Sequence, residues 1–251
     1  MKKPTGEVDF TRQQPDVLLK SVMQKDLHKI QASILRELLF HTGSSFTKLN
    51  RKGLTNDHFT FHLRQLTKNG IIKKKGKEYL LTQLGKSFAN KLDVDSLIME
   101  RFGTPGVAVT AKKVINGKVH FLMHHRLKEP LYGYWGFING KIRFGEFSKD
   151  TAKRELYEES GLIGNPKIVS VTHKMRGPSR KEIKLDHFFF LYIADGVKGE
   201  LKNTIEGKNY WKTIEEMKKL KTFPGFDLYI EAVIKGGVQP YTERFIKVRN
   251  I

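Results

Sequence analysis

Apolar residues at Leu27, Ile30, Ile34 and Leu38 recur at steps of three and four, the period of a half-buried helix. His41–Ser45 interrupts the pattern, and Phe46–Asn50 resumes it as a short second helix that Ser44 or Ser45 can cap. A third helix opens at Leu54-Thr-Asn-Asp, with Thr55 the expected cap, Phe59, Leu63 and Leu66 its buried stripe and Asn69-Gly70 its stop. Ile71–Leu81 switches to two short apolar strands around a Lys/Gly turn, which reads as a hairpin. Thr82 is placed to cap a fourth helix running to Leu92.

From Gly103 onward the rhythm changes. Val107–Ile115 is β-rich, Asn116-Gly117 is a tight-turn signal and Lys118–Met123 returns as the partner strand. Lys167–Met175 and Ile183–Ala194 read as further strands, with Asp186-His-Phe-Phe-Phe-Leu-Tyr the most buried-looking run. Glu206–Trp211 precedes a helix over Ile214–Leu220, and Phe226–Ile234 reads as a closing helix. No apolar run approaches the length needed to span a bilayer. The expected organisation is an extension (1–26), a first domain (27–92), a linker (93–102) and a second domain (103–251).

Composition narrows the function classes. The 251 residues are 39% hydrophobic and 11% aromatic, enough to bury a core. The start, MKKPTGEVDF, lacks the apolar stretch of a signal peptide, so a soluble cytoplasmic protein with no membrane contact is expected. Cysteine is absent, which excludes disulfides, thiolate nucleophiles and zinc ribbons. The net charge of +20 divides as +9 over residues 1–99 and +11 over 100–251, so the excess is no mere basic tail. It favours polyanionic partners, namely nucleic acid or phosphorylated metabolites.

The first domain resembles the winged helix-turn-helix of bacterial and archaeal regulators. Phe59-Thr-Phe-His-Leu-Arg-Gln-Leu-Thr-Lys-Asn-Gly-Ile-Ile and Tyr79-Leu-Leu-Thr-Gln-Leu-Gly-Lys carry the likeness. It implies that the third helix enters the major groove of double-stranded DNA, with Asn56, Thr60, Arg64 and Lys68 on its polar face. Lys73, Lys74, Lys75 and Lys77 on the hairpin would meet phosphates. The same module also serves in protein interaction, and such proteins often pair, so a homodimer is a further expectation. His58 and His62 are four apart on the third helix, as metal ligands can be, but no carboxylate or third histidine completes a site with them, so they read as a surface or partly packed pair.

The second domain carries a more specific pattern. Gly140, five residues, Glu146, seven residues, then Arg154-Glu-Leu-Tyr-Glu-Glu-Ser-Gly-Leu162 fill every fixed position of the Nudix hydrolase signature, which this domain resembles over about 103–240. On a helix capped by Ser148 and stopped by Gly161, Glu155, Glu158 and Glu159 fall on one face, within roughly 100° of arc. Like charges four apart repel, whereas a hard divalent cation reverses the sign. Ala152 and Leu156 face a core instead.

The resemblance implies an α/β/α sandwich around a mixed sheet, hence an α+β protein of two domains. It implies Mg²⁺ or Mn²⁺ held by Glu155, Glu158, Glu159 and the carbonyl of Asn139, with Arg154 orienting the glutamates and Glu146 pairing with Arg154. Which carboxylate acts as base varies among subfamilies; Glu155 and Glu158 are both catalytic candidates. Family members often have Pro-Gly before the signature glycine, where this chain has Ile138-Asn139, acceptable if Asn139 takes a turn conformation. Arg126, Trp135 and Gly140 are substrate-binding candidates, with Phe188 and Tyr210 as alternative stacking rings and Lys128 as a second phosphate contact. The leading reading is a hydrolase of a nucleoside diphosphate linked to another moiety, tethered to a DNA-binding module. The alternatives are a transcriptional regulator that senses such a nucleotide, ADP-ribose for example, and a hydrolase whose first module only dimerises.

Overall fold

The structure, a computed structural model, describes residues 27–50, 53–93, 96, 101–235 and 241–248. The expected extension over 1–26 and most of the expected linker lie outside the described residues. The chain forms two compact units, residues 1–101 and 102–251. Among the described residues no helix is long and apolar enough to cross a membrane.

In the first unit α1 (Lys29–Phe40) opens with a capping box: His28 accepts from the Ile30 N–H and Gln31 reaches back to the His28 N–H. Its inner face is Ala32, Ile34, Leu35 and Leu38. A two-residue strand β1 (Ser44–Ser45) leads into α2 (Phe46–Leu49), capped by Ser45. Then follow α3 (Asn56–Lys68), the hairpin β2 (Ile72–Lys75) and β3 (Glu78–Leu81), and α4 (Gln83–Ala89). Phe59, Leu63 and Leu66 of α3 meet the inner face of α1, Phe88 and Leu92 in one core. Burying each such side chain contributes about 1.5–3 kcal/mol before conformational entropy is charged against it.

Three local expectations need correction. Thr55 precedes α3 but its side chain makes no capping bond. The fourth helix stops at Ala89 rather than Leu92. Ser44 and Ser45 pair with Tyr79 and Glu78, adding a third strand to the hairpin in the order β1-β3-β2. Two residues are too few to leave a periodic signal.

The second unit is built on a mixed eight-stranded sheet. Its strands are β4 (Thr104–Ile115), β5 (Lys118–Arg126), β6 (Trp135–Gly136), β7 (Ile138–Lys141), β8 (Lys167–Gly177), β9 (Leu185–Asp195), β10 (Gly207–Lys212) and β11 (Thr242–Lys247). The order is β10-β5-β4-β9-β8-β11, with β6 on β5 and β7 on β4. β4 runs parallel to β9 and β11 parallel to β8; the other pairs are antiparallel. The β4–β5 turn places Asn116 and Gly117 both at positive φ, as a two-residue hairpin turn requires. Helix α5 (Ser148–Ser160) covers one face through Ala152 and Leu156; α6 (Ile214–Met217) and α7 (Asp227–Lys235) cover the other through Met217, Tyr229 and Val233. This is an α/β/α arrangement about a mixed sheet.

Here too the structure amends details. Helix α5 is preceded by Phe147, and Ser148 is its first residue, its hydroxyl 2.8 Å from the Tyr192 hydroxyl of β9 instead of capping. Asn139 lies inside β7, paired opposite Ala108, not in a turn. Residues 186–190 are half-buried, and only Leu191 and Tyr192 of that run are buried. The helix at Ile214 is one turn long, and β11 lies beyond the expected last element.

Candidate functional site

Strand β7 delivers Gly140 against α5. A methyl group on Gly140 would stand 2.0 Å from Cδ of Glu155, so any larger residue there must displace that carboxylate. At the other end of the helix Gly161 adopts a left-handed conformation (φ 73°), which ends the helix shortly after Glu158 and Glu159.

Arg154 organises the face between. Its Nε and Nη2 donate to the two oxygens of Glu146 at 2.8 and 3.0 Å, a bidentate pair. Its Nη1 donates to Glu155 Oε1 at 2.6 Å and to Glu158 Oε2 at 3.0 Å. The guanidinium holds the Glu146 carboxyl down at about 2, with a further contribution from the Arg143 N–H at 3.2 Å. Glu155 is pushed the other way: burial raises its pKa, the Arg154 contact opposes the rise, and the charges of Glu158 and Glu159 add to it. Arg154 itself is held protonated, chiefly by Glu146.

Glu159 points elsewhere. Its Oε2 accepts from the Thr204 hydroxyl at 2.8 Å. Its backbone carbonyl accepts from Asn209 Nδ2 at 2.6 Å, and the same nitrogen donates to the Lys202 carbonyl at 2.7 Å. Asn209 Oδ1 in turn faces His124 Nδ1 at 3.0 Å, which places a proton on that nitrogen. Asn209 thus pins the end of α5 to β5 through β10. The available signal for it was a polar residue at an inward position of a strand, two residues from the buried Gly207.

These residues border a cleft of about 750 Å³. Asn139, Gly140, Arg154, Glu155, Glu158 and Glu159 line one side. Arg126 and Lys128 also line it, although Arg126 donates to the carbonyls of Pro130 and Glu129 at 2.8 and 3.2 Å and Lys128 is paired with Glu206. Trp135 is not brought to the cleft: its ring stacks on His125 at 4.5 Å and meets Tyr210 at 5.2 Å. Phe188 stacks on His173 on the opposite face of the sheet from its neighbour Phe189. The aromatic rings that do border the cleft are Phe189, Phe223 and Tyr229. Sequence reasoning also missed Lys174, Arg176 and His187, which line the cleft from β8 and β9.

The carboxylates are not drawn into a ready-made cage. Among the described residues no group of three or more His, Asp or Glu is placed to hold a metal ion. The reason is Arg154, which engages Glu155 and Glu158, while Thr204 engages Glu159. The donor set nonetheless fits a hard cation: every candidate side-chain donor is a carboxyl oxygen, and Glu155 is a part-buried carboxyl on the same helix face as two others. Asn139 contributes a strand carbonyl nearby, its side-chain amide donating to the Phe137 carbonyl at 3.1 Å.

In the first unit Asn56, Arg64 and Lys68 are exposed on α3 and Thr60 is half-buried; Lys73, Lys74, Lys75 and Lys77 are exposed on the hairpin. The histidine pair is partly packed, as expected, and a third ring joins it. His62 is buried, its Nε2 lies 3.3 Å from that of His58, and a third histidine, His28, stacks on it at 4.5 Å. Burial, then the neighbouring His28 and His58, lowers the His62 pKa.

Comparison with known proteins assigns this arrangement of an acidic helix laid over a glycine-bearing strand beside a charged cleft. The NUDIX domain family matches residues 104–232, just over half of the chain, so the chain belongs to the Nudix family. It is a hydrolase of that family, whose members generally use divalent metal ions. It is 29% identical to the Nudix hydrolase YvcI of Bacillus subtilis over 127 residues, covering 47% of this chain and 79% of that one. It is 28% identical to an ADP-ribose pyrophosphatase of Methanocaldococcus jannaschii over 130 residues, covering 51% of this chain and 73% of the relative. Among solved structures, a MutT protein of Bacillus halodurans superposes with a TM-score of 0.48 at 24% identity, over 57% of this chain and 90% of that one.

Proposed function

We propose that the second unit hydrolyses the diphosphate of a nucleoside diphosphate linked to another moiety, using Mg²⁺ or Mn²⁺ held by Glu155, Glu158, Glu159 and the Asn139 carbonyl. The observation that carries this reading is the Arg154 fan: one guanidinium bound to Glu146 on one side and to Glu155 and Glu158 on the other, at the edge of the cleft. A divalent cation held there would neutralise charge on the diphosphate and lower the pKa of water at the site. Arg154 and Glu146 set the orientation of the carboxylates, as a fixed ion pair does for ligands it touches. Glu155, part-buried and elevated in pKa, is the residue best suited to accept a proton from attacking water. Arg126 and Lys128, which line the same cleft, would meet the substrate's phosphates.

The first unit is, on this reading, a winged helix-turn-helix that binds double-stranded DNA and pairs as a homodimer. What supports DNA binding is the exposed polar face of α3 beside a hairpin bearing Lys73, Lys74, Lys75 and Lys77. A second reading is that DNA binding responds to the nucleotide held in the cleft.

The test is a panel of ADP-ribose, dinucleotides, sugar nucleotides and nucleoside triphosphates, incubated with Mg²⁺ or Mn²⁺ and read by product analysis. Two phosphate-bearing fragments are expected from a diphosphate-linked substrate. Glu158→Gln is expected to lower turnover by on the order of 10²–10³-fold. Unchanged turnover in that variant would remove the metal assignment. For the regulator reading, a saturating nucleotide must shift the affinity for a promoter fragment.

A further inference from the structure

Besides the carboxylates, the cleft is lined by a group of cationic residues. Lys174 and Arg176 sit two apart on β8 and therefore share a face, and His187 of β9 is the direct cross-strand neighbour of Lys174. All three line the cleft. Lys174 is 0% exposed and Arg176 7%. Lys174 Nζ, Arg176 Nε and His187 Nδ1 are buried without a hydrogen-bond partner among the described residues. The nearby carboxylates are committed elsewhere: Asp227 pairs with Arg244, and Asp186 with His173. Three rings hold the ammonium in place, with Nζ 3.8 Å from the centre of Tyr229, 5.1 Å from Phe189 and 5.4 Å from Phe223. Rings accept no conventional hydrogen bond, so the cage fixes the cation and leaves its donors unspent.

A buried cation without a counter-ion is costly, and two of them on one strand face repel as well. Burial and the charge of Arg176 hold the Lys174 ammonium well below its usual range; burial, Arg176 and Lys174 lower His187. Packing gains nothing from such a cluster, since Met or Leu would fill the same space. A doubly charged tetrahedral oxyanion reverses the balance by accepting several N–H bonds and neutralising both cations.

We propose that Lys174, Arg176 and His187 form an anion subsite in the cleft, which takes a phosphate group of the substrate additional to the diphosphate that is cleaved. This rests on the hydrolase reading and narrows its substrate class. Two sources carry the same chemistry: the third phosphate of a nucleoside triphosphate, or a phosphate monoester on a remote part of a diphosphate-linked substrate.

The first measurement is independent of turnover. Titration calorimetry of the full-length protein with inorganic phosphate, at constant ionic strength and without divalent metal, is expected to show uptake by the wild type and none by Lys174→Met or Arg176→Gln. Thermal unfolding checks that the variants fold; Lys174→Met is expected to be at least as stable as the wild type. The second measurement compares kcat/KM for NADPH against NADH and for ATP against ADP, with Mg²⁺ or Mn²⁺. A preference of about tenfold or more for the more phosphorylated member is expected in one pair, falling toward one in both variants. Preference within the dinucleotide pair assigns the remote monoester; preference within the adenine nucleotide pair assigns the third phosphate. Phosphate uptake that persists in both variants, or equal kcat/KM within both pairs, overturns the subsite. Phosphate uptake lost in the variants, with no diphosphate hydrolysed by any form, leaves the subsite standing and sinks the hydrolase reading instead.

Discussion

Helices α3 and α5 are both thirteen residues long, yet they handle charge in opposite ways. On α3 the polar face is left to solvent: Arg64 and Lys68 are exposed, and no salt bridge among the described residues includes them. On α5 the charges are bound before any ligand arrives, Arg154 to three carboxylates and Glu159 to Thr204. A solvated face suits a long flexible polyanion, where affinity comes from released counterions and fine placement matters little. A pre-bound face suits a reaction, where a displacement of an ångström costs orders of magnitude.

The sharpest way to break this contrast is Gly140→Ala. The added methyl must displace Glu155, and hydrolysis of the best substrate is expected to fall by about 10²-fold or more. Overpacking is expected to lower stability by about 1–3 kcal/mol, read by denaturant titration. Near-normal turnover would mean that α5 tolerates the same looseness as the solvated face of α3.

A smaller effect is expected on the solvated side. Replacing Lys73, Lys74, Lys75 and Lys77 by Gln should weaken DNA binding nearly uniformly across sequences. The slope of log affinity against log salt should flatten by about 0.9 for each phosphate no longer neutralised. A slope that does not change, measured by fluorescence anisotropy over a salt series, would remove the hairpin from the DNA interface.

The smallest effect is one of acid stability. Glu146 titrates at about 2 in the folded protein against an ordinary 4.5, because Arg154 binds its charged form. A depressed carboxylate stabilises the fold above pH 4.5 and loses that contribution as pH falls through about 2. The difference in unfolding temperature between wild type and Glu146→Gln should therefore shrink across that window. No comparable acid-dependent gap is expected between wild type and Arg64→Gln on α3.

Much of this molecule is legible in local pattern. The steps of three and four from Ile30 to Leu38 and from Phe59 to Leu66 specify which faces are buried, because a helix repeats every 3.6 residues whatever it packs against. The turn at Asn116-Gly117 and the helix stop at Gly161 are equally local, since each depends on a backbone conformation that few residues adopt. The spacing of Glu155, Glu158 and Glu159 likewise puts them on one side of α5 by geometry alone.

What local pattern cannot carry is the meeting of residues distant in the chain. The sequence alone determined the helices, most strands and the acidic face of α5, because these follow from periodicity and turn chemistry. Only the tertiary structure decided that Phe189 rather than Phe188 borders the cleft, that His28 joins His58 and His62, and that Asn209 holds the end of α5. It alone also brought Lys174, Arg176 and His187 into the same cleft as the glutamates, because strand register and the packing of α7 determine which cationic side chains are buried without a partner.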